Sequence, residues 1–173
     1  MNLADDDFTL FGLPPRFAQD ADEIDARWKA LQRHAHPDRF VDAGGAAQRL
    51  ALQWSARLNE ARQRLRDPIR RAALLCEMRG APIGAESNTR MPPDFLQEQL
   101  AWREALDEAG SPAALQALAE RIESARSARL GRVGRLLDEA DDAVAAAGEL
   151  RALMFIDRLA RDVRARALAL SAA

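Results

Sequence analysis

The residues with chemistry to offer fall into two short constellations. The first is His36-Pro37-Asp38, with Arg27, Lys29 and Arg33 before it and Arg39 directly after it. A histidine and an aspartate on either side of a proline put a titratable ring and a carboxylate acceptor on a stiff turn. No third group stands at a spacing that would complete a nucleophile, base and oxyanion set, so an enzyme is not expected. His34 and His36 are two residues apart and share no helix face, and Cys76 is the single cysteine. Neither a metal site, a cofactor site nor a disulfide follows from them. Recognition remains. From Arg27 to Arg39 there are four bases and one acid, in a chain whose formal net charge is −2. Such a local positive face suits an acidic protein partner. Acids at Asp20, Asp22, Glu23 and Asp25 followed by bases also complement a helix dipole. That explains the polarity and leaves the proline turn unexplained.

The second constellation is apolar. Phe95, Trp102 and Leu106 fall within about 40° of one another on a helical wheel and suffice as a core stripe. Leu96 and Leu100 lie about 100–140° from Phe95, among Glu104 and Asp107. Two leucines ringed by acids and off the core stripe are a candidate exposed patch; the alternative is a core stripe wide enough to bury them. Phe155 borders the inward stripe Ile156, Leu159, Val163 and Leu170. It can fill the core edge or extend the patch.

Helices must position both sets. The 173 residues are 48% hydrophobic and 30% charged, with 5% aromatics and no Tyr, which favours an all-α globular protein over a β-sandwich. Near-neutral charge argues against bulk attraction to nucleic acid or anionic lipid. The acidic N-terminus has no signal pattern, and no apolar run approaches the roughly 20 residues of a membrane span; a cytoplasmic protein is expected. Asp20 caps a helix that Pro37 ends, with Glu23 at the capping-box position and Ile24, Trp28, Leu31 and Ala35 on one stripe. After Gly44-Gly45 a second helix carries Leu50, Trp54, Leu58, Ala61 and Leu65. Asp67-Pro68 then opens a third, with Gly80 as its C′ residue. The turn formers of 81–92 separate an N-terminal unit, 1–80, from a C-terminal unit, 93–173. There, helices from Pro93 to Gly110, Pro112 to about Asp138 and about Asp142 to Leu170 are joined by short connections and should pack as an antiparallel three-helix bundle. Cys76, among Ala72, Ala73 and Leu75, reads as a buried, inert thiol.

Phe8-Thr9-Leu10-Phe11-Gly12-Leu13, the basic helix, His36-Pro37-Asp38, Leu58-Asn59-Glu60-Ala61 and Leu65-Arg66-Asp67-Pro68 together resemble a J-domain over residues 5–75. Ala35 and Arg62 stand where J-domains usually carry aromatics, so packing near the turn should be weaker. There is no Gly/Phe-rich linker and no cysteine-rich zinc module. A J-domain hairpin followed directly by a three-helix bundle is similar to the HscB family of co-chaperones of iron–sulfur cluster assembly. Phe95-Leu96-Gln97-Glu98-Gln99-Leu100, Arg103-Glu104-Ala105-Leu106-Asp107-Glu108 and Met154-Phe155-Ile156-Asp157-Arg158-Leu159 extend the likeness over essentially the whole chain.

That resemblance implies a non-enzymatic adaptor. Arg27, Lys29, Arg33, His36, Pro37, Asp38 and Arg39 would bind an HscA/DnaK-type chaperone and stimulate its ATPase. Leu96, Leu100, Glu104, Glu108 and Phe155 would bind the scaffold protein IscU; Gln97 and Ala101 depart from the family pattern there. Two other readings are a J-domain co-chaperone with a different client and a helical DNA-binding regulator using Arg27–Arg39. The second would require a steeply salt-dependent DNA affinity.

Overall fold

The structure, a computed structural model, describes residues 2–35, 44–84 and 91–171. Among the described residues there are seven helices and no strand. The chain divides into two compact units, Met1–Leu75 and Cys76–Ala173. The division falls inside a helix, ahead of the Gly80 that punctuates the sequence.

The first unit opens with α1 (Asp7–Phe11). Asp6 caps it, accepting from the backbone N–H of Phe8 and Thr9 at 2.9 and 3.0 Å and from the Thr9 hydroxyl at 2.6 Å. Partial burial alone would raise the Asp6 pKa; these hydrogen bonds outweigh it and hold the pKa below the ordinary carboxylate value. Gly12 ends the helix at φ +63°, where its N–H donates to Thr9 and that of Leu13 to Phe8, a Schellman closure. In α2 (Ala21–Ala35), Asp20 caps as expected, accepting from Asp22 N–H at 2.8 Å, while Glu23 pairs instead with Arg27 at 3.1 Å.

α3 (Gly45–Arg66) packs on α2. Ile24, Leu58, Ala61 and Leu65 are fully buried, whereas Leu50, on the expected core stripe, is 49% exposed and Ala51 is buried in its place. Polar contacts flank this apolar line. Trp28 Nε1 and Gln32 Nε2 each donate to Asn59 Oδ1 at 2.9 Å, and Ser55 donates to Gln32 Oε1 at 3.1 Å. Arg62, in the place of an aromatic, stacks on Trp28 at 4.3 Å and donates to Asp25 at 2.8 Å, so a cation–π contact and an ion pair take over from ring packing. Asp7 ties α1 to α3 by accepting from Arg64 at 2.7 and 2.9 Å, with Arg57 at 2.7 Å.

α4 (Pro68–Met78) starts under an Asp67 cap and ends in a second Schellman closure at Gly80, φ +75°. Its last turn belongs to the second unit, where Cys76 Sγ lies 3.6 Å from Ala143 O and Arg79 donates to Leu137 O at 2.6 Å and Asp141 at 3.1 Å. The bundle itself is α5 (Pro93–Glu108), α6 (Pro112–Asp138) and α7 (Ala143–Ser171). Ser111 caps α6 through Ala114 N–H at 3.2 Å, with Pro112 in its first turn. The core combines Phe95, Trp102, Leu115, Leu118, Ile122, Ala152, Ile156, Leu159 and Val163, while Leu170 is only partly buried.

Candidate docking surfaces

On α2, Ile24 and Ala35 face inward, which leaves Arg27, Lys29 and Arg33 exposed. Arg27 is half-exposed beside Glu23. His36, Pro37, Asp38 and Arg39 lie outside the described residues. Next to Ala35, whose methyl fills little space, α2 and α3 leave an apolar groove of about 370 Å³ lined by Leu31, His34, Ala35, Ala47, Leu50, Ala51 and Trp54. Asp25, beneath the basic face, is held below the ordinary carboxylate pKa. Its hydrogen bond from Arg62 is the main cause, opposed by slight desolvation and aided by the charges of Arg62, Arg66 and Lys29.

The second surface is set by the rotation of α5. One edge of the helix is clamped: Arg129 of α6, whose side chain is 4% exposed, reaches Glu98 at 2.9 Å, Asp94 at 3.4 Å and the buried Glu149 of α7 at 2.8 Å. Its guanidinium also stacks on Phe95 at 4.6 Å. Burial disfavours the charge, but the hydrogen bonds that Arg129 donates to Glu98 and Glu149, with the charges of Glu149 and Asp94, outweigh it, so the Arg129 pKa is raised. With that edge and Phe95 turned inward, Leu96 and Leu100 point outward, 51% and 60% exposed, and the core stripe is narrow. Glu104 and Glu108 are exposed on the same helix. Phe155 is half-buried, edge-on to Phe95 at 5.6 Å, with the Arg103 guanidinium 5.2 Å over its ring. Phe155 therefore serves the core edge and abuts α5 as well.

Arg103 was not among the sequence candidates. It is the one base on α5 and lies seven residues after Leu96 and three after Leu100, hence on their stripe; that placement was the available signal. Cys76 is buried, and desolvation pushes its thiol up to about 11, partly offset by Arg79 and Arg151. No described helix is long and apolar enough to cross a membrane.

A helical hairpin with a basic α2 leading into His-Pro-Asp, continued by a three-helix bundle, defines the class of J-domain co-chaperones. A family model described as the HSCB C-terminal oligomerisation domain matches residues 91–164. A co-chaperone HscB homolog of Bordetella pertussis is 45% identical over 163 residues, covering 94% of this chain and 96% of that protein. One from Burkholderia multivorans is 47% identical over 169 residues, covering 96% of each. The solved chaperone HscB from Vibrio cholerae superposes with a TM-score of 0.78 at 34% identity, over 96% of this chain and 99% of that one. Human HscB shares the fold, with a TM-score of 0.86 at 23% identity, over 96% of this chain and 84% of that one. The chain belongs to the HscB family of co-chaperones; its relatives are named as co-chaperones and not as enzymes.

Proposed function

We propose that this chain is a cytoplasmic adaptor that binds an IscU-type iron–sulfur scaffold protein, delivers it to an HscA-type ATP-dependent chaperone and stimulates that chaperone's ATPase. The α2 face, with Arg27, Lys29 and Arg33, and the following His36, Pro37, Asp38 and Arg39 engage the chaperone. Leu96, Leu100, Glu104, Glu108 and Phe155 engage the scaffold. The observation that supports the reading is the outward pair Leu96 and Leu100, left over by a core that Phe95 and Trp102 already complete. A half-exposed leucine pair on a rigid helix gains on docking what it forgoes in the free protein, at about 25 cal/mol per Å² of apolar surface covered. Joining two modest contacts in one molecule raises the local concentration of scaffold at the chaperone, without chemistry by the adaptor.

The test is a double dissociation. Leu96→Ser with Leu100→Ser should abolish scaffold binding by titration calorimetry and leave scaffold-free ATPase stimulation intact. Asp38→Asn should do the reverse. Unchanged scaffold affinity in the leucine variant refutes the client assignment, and full stimulation by Asp38→Asn refutes the docking loop.

A further inference from the structure

The outer face of α7 is unlike the rest of the bundle surface. Met154, Arg158, Arg161, Ala165 and Leu168 recur at i, i+4, i+7, i+11 and i+14, one helical stripe on the side away from Ile156 and Val163. Every member is exposed, Met154 at 56% and Leu168 at 73%. Arg164 flanks the stripe and is exposed too. From Arg151 to Ser171 the helix holds five arginines and two aspartates, although the whole chain is net acidic. One of those aspartates, Asp157, is engaged by Arg126 at 2.8 Å. Among the described residues, Arg158, Arg161 and Arg164 form no ion pair.

Helix-dipole complementation does not account for them. The last turn of α7 holds no base, and the three arginines lie about two turns or more before its end, beyond the reach of the terminal partial charge. α2 differs here, since its bases do run into its last turn.

We propose that this stripe docks an acidic, helix-forming segment of a protein partner, at a surface separate from the two above. Guanidinium groups one turn apart match carboxylates one turn apart on a facing helix, and each fork accepts a carboxylate in bidentate fashion. Met154 and Leu168, fourteen positions and about 21 Å apart, give such a segment an apolar contact at each end. The same spacing disfavours a lipid surface, because an interfacial helix needs a continuous apolar face and here arginines fill the middle. Duplex DNA is disfavoured by the negative charge of the chain as a whole, which repels a long polyanion more than a short acidic segment.

The probe is a fluorescent synthetic helical peptide with glutamates one turn apart and a leucine near each end, titrated into the full chain at low salt by anisotropy. Saturable binding is expected, weakened about tenfold or more by Arg158→Glu with Arg161→Glu and several-fold by the milder Arg158→Gln with Arg161→Gln. Lys29→Glu with Arg33→Glu, on the other basic face, should leave it unchanged. Circular dichroism checks that each variant is helical. Absence of saturable binding overturns the proposal, as does equal loss in the Lys29/Arg33 variant. It is also overturned if phosphatidylserine vesicles or a duplex oligonucleotide bind more tightly than the peptide, or if the arginines instead hold a dimer that charge reversal dissociates.

Discussion

The α2–α3 hairpin and the α5–α7 bundle close their seams with different materials. In the hairpin a thin apolar line of Ile24, Leu58, Ala61 and Leu65 is flanked by Asn59, Gln32, Ser55 and the Asp25–Arg62–Arg66 group, with Trp28 held by its N–H and by a cation over its face. In the bundle the centre is Phe95 with two other rings edge-on to it, and the most buried ion pairs converge on Arg129, apart from the Arg126–Asp157 pair. A seam made of exposed polar contacts holds through many small contributions, each screened by water. A knot centred on a buried guanidinium and a buried carboxylate is costlier to cut, because removing Arg129 leaves Glu149 buried with one counter-charge fewer. The bundle can therefore fix α5 firmly enough to keep two leucines out of the core, while the hairpin keeps its cations at the surface.

The largest effect should come from cutting the knot. Arg129→Ala leaves the buried Glu149 carboxylate with only Arg132, at 3.0 Å, as a counter-charge and should cost about 3 kcal/mol, read by native-state hydrogen exchange at Leu150 and Ile156. Replacing both partners, Arg129→Met with Glu149→Leu, should recover most of that loss, since a well-packed apolar pair often matches a buried ion pair. If the double variant is as unstable as the single one, the knot matters for shape and not for charge. Asp7→Ala should cost less, about 2 kcal/mol in the hairpin, because Arg57 still donates to the carbonyls of Leu3 and Asp5 and Arg64 retains access to water. Exchange at Leu58 and Ala61 checks it, and a loss as large as that for Arg129→Ala would erase the distinction between the two seams.

The elements were readable where caps and periodicity agree. Asp20, Asp67, Ser111-Pro112 and Gly80 mark helix ends where the structure has them, and glycines 131, 134 and 148 interrupt neither α6 nor α7. α1 escaped because five residues show no period, although Asp6 and Gly12 bracket it. Leu96 and Leu100 were legible from their angle to Phe95 alone. Arg129 was not, because nothing local separates one buried arginine from its exposed neighbours in an arginine-rich helix; its role depends on Glu98 and Glu149, 31 and 20 residues away. Leu50 misled for the opposite reason, as the groove beside Ala35 left a core-patterned leucine half in water.

The smallest effect, and the sharpest for the hairpin, concerns pH. Asp25 titrates below its ordinary value because Arg62 donates to it, so its pKa in the unfolded chain is the higher of the two. A carboxylate so shifted adds stability that is fully present above the unfolded pKa and drains away as pH falls through the folded one. Asp25→Asn should therefore lower amide protection in α3 modestly at neutral pH. The wild-type and variant curves should begin to approach each other below about pH 4, the ordinary carboxylate range, and meet only once pH has fallen through the lowered pKa that Asp25 has in the folded chain. Protection in α7 should differ little between the two proteins over the same range. Curves that stay parallel to the acid limit would mean that Asp25 steadies Arg62 over Trp28 by shape alone, and the polar seam would then owe its strength to stacking and not to charge.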